Sequence, residues 1–164
     1  MRIVVCVKHV PDMQSERRFE GGRLVRGEDD VLNELDENAI EAAVQLKESE
    51  EDAGREAEVV ALTMGPEDAE DSLMRALQMG ADRAYIVSDE FLEGSDVITT
   101  ASVLSVAIAK IAQECGPVDL VITGMASLDA MTSMLPAALA AKAHMPLLGL
   151  ARSLSVEDGA VTIE

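Results

Sequence analysis

Short runs of apolar residues alternate along the chain with longer stretches in which apolar residues recur at helical spacing. The first run, residues 3–7, is β-branched apart from Cys6 and is bounded by charge, which is typical of a strand buried on both faces of a parallel sheet. Later runs predict four more strands, at 58–63, 84–87, 119–123 and 147–151. The intervening stretches predict helices at about 36–49, 66–79, 97–115 and 132–143.

Capping residues mark the ends of these helices. Asp36 can cap the first helix, and Ser95 or Asp96 can open the third. Gly80 is a natural left-handed stop after the second helix. Residues 8–35, in contrast, are polar and show no period. A segment of that length inside a domain is unusual, so we expect it to be functional or ordered in part by a partner.

The order of these elements predicts the fold class. Strands and helices alternate, and each crossover is long enough to hold a helix, so the strands should be parallel and the connections right-handed. We expect a single α/β domain over residues 1–164, with a doubly wound parallel five-stranded sheet, helices on both faces, and a hairpin arm at 155–163 that turns around 157–159. Ligands of such sheets bind beyond the carboxyl ends of the strands, near the point where strand order reverses. The segments at those ends are 8–12, 64–66 and 124–133.

Composition supports a folded protein and excludes one class of partner. The 164 residues allow one domain with a sizeable core, and the 48% hydrophobic content excludes a disordered or collagenous chain. Aromatic residues make up only 2%, and the net charge is −18. Nucleic-acid surfaces use aromatic stacking and positive charge, so nucleic acid is not expected as a partner.

Positive charge is concentrated at the start of the chain. Residues 1–27 hold six basic and three acidic side chains, which leaves −21 for residues 28–164. An anionic small ligand would have to be held near this N-terminal segment or by backbone dipoles. The alternative interpretation is a long loop that its own charges keep soluble, and the charge pattern alone leaves both open.

The cysteines, histidines and N-terminus indicate the compartment. Cys6 and Cys115 form no CxxC motif, which favours a reducing compartment. His9 and His144 have no companions at ligand spacing, so no metal site is expected. The apolar stretch before Lys8 is too short for a signal peptide or a membrane span, so we expect a cytoplasmic protein without membrane insertion.

The sequence contains no GxxxxGK[ST], GxGxxG or GxSxG motif and no Ser/His/Asp set at a legible spacing. No catalytic residue is therefore assigned, and Cys6 is interpreted as a core residue. The last strand, turn and helix suggest an anion site, in which Gly124 allows a close backbone turn and Asp129 can accept from a ribose hydroxyl. Thr132 and Ser133 would lie at the helix start, where unpaired N–H groups can bind an anion. The alternative is an ordinary helix cap.

Taken together and in order, the sequence motifs resemble the β subunit of electron transfer flavoproteins. The resemblance covers the whole chain, and its most specific part runs from Gly65 to Ala84. The motifs that carry it are Val7-Lys8-His9-Val10-Pro11-Asp12, the stretch 33–43, Met64-Gly65-Pro66, the stretch 76–84, and residues 119–124 followed by Asp129 and Thr132.

This resemblance implies a fold similar to adenine-nucleotide-binding, Rossmann-like domains. It also implies a heterodimer with an electron transfer flavoprotein α subunit that holds the redox FAD, while the β subunit binds AMP or a second FAD and docks flavin dehydrogenases or ferredoxin-type donors and acceptors. Such a subunit performs no bond chemistry of its own, so no enzyme activity is expected. The implied cofactor-binding residues are Cys6, Asn33, Asp36, Met64, Gly124, Asp129, Thr132 and Ser133.

The chain departs from the family pattern where the nucleotide would lie. Met125, Ala126 and Met134 stand where the family usually has hydrogen-bonding side chains. Each bond lost to a charged phosphate costs about 1.5 to 3 kcal/mol, so we expect poor affinity for AMP. The family's β subunits also continue for roughly another half-length, so we expect their C-terminal arm to be absent or truncated here.

The leading hypothesis is an electron-carrier β subunit that forms the structural and donor-docking half of the carrier. The alternative is a free-standing nucleotide-binding regulatory module of the same fold without a redox partner. An adenine-nucleotide hydrolase or ligase is a third possibility, but the sequence offers no catalytic set for it.

Overall fold

A computed structural model describes residues 1–157 and 159–164, in which ten strands and four α-helices follow one another along the chain. The first part holds β1 (Arg2–Cys6), β2 (His9–Pro11), β3 (Phe19–Glu20), β4 (Arg23–Leu24), β5 (Asp30–Leu32) and α1 (Glu34–Asp52). The middle holds β6 (Glu58–Met64), α2 (Glu70–Gln78), β7 (Arg83–Val87), α3 (Val97–Cys115) and β8 (Leu120–Thr123). The last part holds α4 (Leu135–Ala143), β9 (Leu154–Glu157) and β10 (Ala160–Ile163).

The central sheet is parallel and has four strands among the described residues, in the order β7-β6-β1-β8. Val4 of β1 lies opposite Val60 on one side and Val121 on the other. The chain builds outward from β1 through β6 to β7 and then returns to the opposite side of β1 to form β8. Strand order therefore reverses between β1 and β8, which places the ligand crevice of this fold class at the carboxyl ends of those two strands.

Side-chain alternation along the strands divides the core into two layers. Ile3 and Val5 point to one face of the sheet and pack with residues of α1 and α2, including Ile40 and Leu73. Val4, the residue between them, points to the other face and packs with residues of α3 and α4. The expected α/β class, with a parallel sheet and helices on both faces, is thus confirmed.

The expected fifth strand at 147–151 does not form, so the prediction of five parallel strands is wrong for the described residues. Leu147 and Leu148 are about half exposed, and Leu150 is 87% exposed with φ at 62°. A leucine in the left-handed conformation cannot take part in a β-ladder. The apolar run in the sequence also does not show whether a neighbouring strand is available to pair with it. Residues 154–157 and 160–163 instead form the two antiparallel strands β9 and β10, and Asp158, at the centre of the expected turn, lies outside the described residues.

Two helix starts also differ from expectation. α1 begins at Glu34, so Asp36 lies inside its first turn and does not cap it. α4 begins at Leu135, three residues later than expected. The segment 8–35 is not a plain loop, because it holds the ribbons β2–β5 and β3–β4.

Among the described residues one helix, α3, is long and apolar enough by length and composition to cross a membrane. Ala101, Leu104, Ile108 and Ile111 are buried in the core layer beside the sheet. One face of α3 therefore packs against the sheet.

Candidate functional site

The carboxyl end of β1 is bonded to the start of α1. The Lys8 N–H donates to the Asp36 Oδ2 at 2.8 Å, and the Asn33 N–H donates to the Lys8 carbonyl at 2.9 Å. Both Asn33 and Asp36 are buried. Asp36 therefore fixes the strand end to the helix, although the sequence suggested a capping role for it.

The carboxyl end of β8 meets the same carboxylate. The backbone of Gly124 also faces this carboxylate and lowers its pKa. A Cβ added to Gly124 would lie 2.2 Å from the Asp36 Oδ1 and 2.9 Å from the Leu35 carbonyl oxygen. Gly124 is therefore required here by the close approach of α1, and Asp36 joins the two strands that flank the topological switch point.

Asn33 holds the loop that follows β8. Its Nδ2 donates to the Ala126 carbonyl at 2.9 Å, and its Oδ1 accepts from the Leu128 N–H at 3.0 Å. The side chain is fully buried, so neither bond competes with water. Asn33 therefore fixes the backbone of the candidate nucleotide loop through its side chain.

Asp129 is the centre of an ionic cluster. The Lys8 Nζ lies 3.0 Å from its Oδ1 and 2.9 Å from its Oδ2, and the Arg26 Nη2 bonds to Oδ2. The Asp129 side chain is 1% exposed. Burial by itself would raise the pKa of this carboxyl, but the bonds from Arg26, Lys8 and Ser127 outweigh it and hold the pKa far below its usual range. Asp129 is an anion held by two cations.

A third cation reaches the same loop. The Arg17 Nη2 donates to the Leu128 carbonyl at 3.2 Å. Lys8, Arg17 and Arg26 thus converge on residues 127–129, although sequence motifs named none of them as site residues. The excess of positive charge in residues 1–27 indicates this segment as a place for an anionic ligand, although it does not single out these three residues.

Burial also shifts the pKa of two other groups beside this site, Asp36 and Cys6. Burial raises the pKa of Asp36 to about 6, against the lowering effect of bonds from Asn33 and Lys8. Burial, and then the negative charge of Asp36, raise the pKa of the Cys6 thiol to about 12. Cys6 is therefore a neutral thiol in the core, in keeping with its interpretation as a core residue.

The other expected site residues lie outside this cluster. Met64 is the last residue of β6, and β1 lies between β6 and β8 in the sheet. Its side chain packs against the core layer that includes α3 and α4. Thr132 and Ser133 are exposed and precede the first turn of α4. The structure thus brings Asn33 and Asp36 together with Gly124, with Asp129 farther along the same loop, and leaves Thr132 and Ser133 at the rim.

Comparison with known proteins assigns the chain to a family. The model of the electron transfer flavoprotein domain matches residues 22–164. The chain belongs to this family. The resemblance seen in the sequence motifs is thereby confirmed.

Its relatives extend the comparison to nearly the whole chain. The chain is 39% identical to the electron transfer flavoprotein subunit beta of Mycobacterium leprae (strain TN), over 99% of this chain and 60% of that protein. The corresponding protein of Megasphaera elsdenii is 37% identical, over all of this chain and 61% of that protein. The caffeyl-CoA reductase-Etf complex subunit CarD of Acetobacterium woodii is 36% identical, over 96% of this chain and 58% of that protein. The chain therefore spans about 60% of the length of these curated relatives.

Proposed function

We propose that this chain forms the nucleotide-binding part of a β-type subunit in a heterodimeric flavin electron carrier. The observation that carries the proposal is the match of 99% of the chain to an electron transfer flavoprotein subunit beta, at 39% identity. In this proposal an α-type subunit holds the redox FAD. This chain supports it, docks flavin dehydrogenases or ferredoxin-type donors and acceptors in the cytoplasm, and performs no bond chemistry itself.

The proposed ligand of the chain is an adenine nucleotide, either AMP or a second FAD, at the carboxyl edge of β1 and β8. Three observations support this position: the reversal of strand order, the close backbone turn at Gly124, and the cations around residues 127–129. The net charge of the chain is −18, so the chain as a whole repels anions. The cations around residues 127–129 are an exception, because they can attract an anion locally. The residues proposed to line the ligand are Cys6, Asn33, Asp36, Met64, Gly124, Asp129, Thr132 and Ser133.

The loop itself offers few side-chain donors, which limits the affinity that we propose. Met125 and Met134 are half exposed and cannot donate, and Ala126 is buried. The Asn33 amide is already bonded to the loop backbone. A nucleotide phosphate would depend on backbone N–H groups and on Lys8 at the end of β1, and we propose that AMP binds weakly to this chain in isolation.

Co-expression with an electron transfer flavoprotein α-type subunit from the same genome tests the proposal. We expect the two chains to copurify in equal amounts with bound flavin, and mass spectrometry of the heat-released ligands to show AMP or FAD in addition to the redox FAD. The tagged chain expressed alone is the control, and we expect it to be colourless. Failure of the pair to associate or to hold flavin would favour the free-standing regulatory module.

A further inference from the structure

Residues 12–29, here called the strap, extend from the domain between the paired strands β2 and β5. The strap carries the two-residue strands β3 and β4, whose residues are largely exposed. The Asp12 N–H donates to the Asp29 carbonyl at 2.9 Å where the strap leaves and rejoins the domain. The Arg18 guanidinium is paired with Glu28 inside it. The strap is therefore tied to itself at its base.

Arginine side chains join the strap to the rest of the domain. Arg26 bonds to Asp129, and Arg17 donates to the Leu128 carbonyl, so both end on the loop after β8. Arg23 instead pairs with Glu93 at 3.0 Å. The strap thus lies against the loop that contains the proposed nucleotide site.

These ion pairs differ in strength because they differ in burial. The side chains of Arg23 and Glu93 are 66% and 80% exposed, and pairs of this kind contribute little to stability. The Asp129 side chain is 1% exposed, so its bond with Arg26 is screened far less by solvent. The contact between Arg26 and Asp129 is therefore the main ionic fastening of the strap.

Lys8 makes this fastening reversible. It bonds to both oxygens of Asp129 from the end of β1, at 2.9 and 3.0 Å. When Arg26 leaves, the buried carboxylate keeps a cationic partner, and no uncompensated charge remains in the interior. An open pocket of about 320 Å³, lined by Arg17, Asp29 and other residues, lies at the base of the strap.

We propose that the strap is a latched cover over the loop after β8, with Arg26 on Asp129 as the latch and Lys8 as the permanent partner of Asp129. Opening the latch exposes the loop to an anionic ligand, and closing it covers the loop. The ligand, a nucleotide phosphate, rests on the proposed function, whereas the latch itself can be tested without any ligand.

Hydrogen-exchange mass spectrometry on the ligand-free protein tests the latch. We expect Arg26→Gln to raise amide exchange in residues 12–29 by about 10-fold, on the scale of one hydrogen bond to a charged group, and Arg26→Lys to restore part of the protection. Arg23→Gln is the matched control, since it removes the same charge from the same segment, and we expect less than about a 2-fold change. Equal amide exchange of residues 12–29 in the Arg26→Gln and Arg23→Gln proteins would contradict the proposal that the contact between Arg26 and Asp129 fastens the strap.

Binding kinetics of a fluorescent AMP analogue test the covering role. We expect Arg26→Gln to increase the association rate by about 10-fold and Arg23→Gln to leave it unchanged, because only the first opens the cover. An unchanged association rate in the Arg26→Gln protein would contradict the covering role. No binding to any of the three proteins would contradict both the nucleotide site and the covering role, while the exchange data would still decide the latch.

Discussion

Gly124→Ala is the most direct test of the junction between β8 and α1. The new Cβ would lie 2.2 Å from the Asp36 Oδ1 and 2.9 Å from the Leu35 carbonyl oxygen. The first distance is more than 1 Å short of an ordinary contact of about 3.5 Å. The clash cannot be relieved by a flexible side-chain end, because Asp36 is buried and the second obstacle is backbone.

The structure sets the size of the expected effect. Either Asp36 turns away and weakens its bond with the Lys8 N–H, or the end of β8 moves off α1. Overpacking of this kind costs about 1 to 3 kcal/mol, and a bond to a charged group adds about 1.5 kcal/mol or more. We expect a loss of about 3 kcal/mol in the free energy of unfolding. For a chain of this size that corresponds to a Tm lower by about 6 to 12 °C.

Thermal unfolding followed by far-ultraviolet circular dichroism measures this loss, with Gly149→Ala as the matched control. Gly149 has no atom within 4 Å of a built Cβ and no positive φ, so its replacement introduces no clash. Both variants gain the same small stabilisation from a less flexible unfolded chain, and the difference between them isolates the contact with Asp36. If the two variants melted within about 2 °C of each other, the close approach described here would be wrong.

Three further predictions concern buried groups near this edge. Asn33→Ala leaves two loop backbone groups without their partner, so we expect about 2 to 3 kcal/mol less stability in urea, against less than about 0.5 kcal/mol for the exposed Asn38→Ala. Because the pKa of Asp36 is raised from 3.8 to about 6, the folded state holds its proton more tightly, and stability should fall as pH rises through that window and level off above it. Asp36→Asn should remove this dependence in urea midpoints measured across the same range. Since burial raises the pKa of Cys6 to about 12, iodoacetamide should label Cys115 first in the native protein and both cysteines only after denaturation.

Each of these predictions has a result that would contradict it. Equal urea midpoints for the two asparagine variants would show that Asn33 does not hold the loop. A wild-type stability that rises between pH 4 and pH 6, relative to Asp36→Asn, would mean that the bonds to Asp36 outweigh its burial. Rapid native labelling of Cys6 would mean that β1 is open to solvent at its carboxyl end.

The pattern of the sequence determined the α/β class and most of the order of the elements. Residues 3–7 and 58–63 are short β-branched runs, and this character depends only on burial on both faces of the sheet. Stops such as Gly80 act locally, so the end of α2 was predicted within two residues. The sequence motifs also indicated the family, because motifs can be compared between proteins without any knowledge of their tertiary contacts.

Tertiary structure decided the number of strands and the composition of the site. Residues 147–151 are apolar enough for a strand, but a strand also needs a neighbour and an extended backbone, and Leu150 has neither. Asp36 has the residue type of a helix cap, yet its carboxylate accepts a bond from Lys8 at the end of β1 and lies against Gly124 at the end of β8, 116 residues farther along the chain. Asp129 was predicted from its place in one loop, whereas its cationic partner Arg26 is 103 residues away. Periodicity and local spacing report what a residue does within its own element, and only the packed fold decides which distant charge stands beside it.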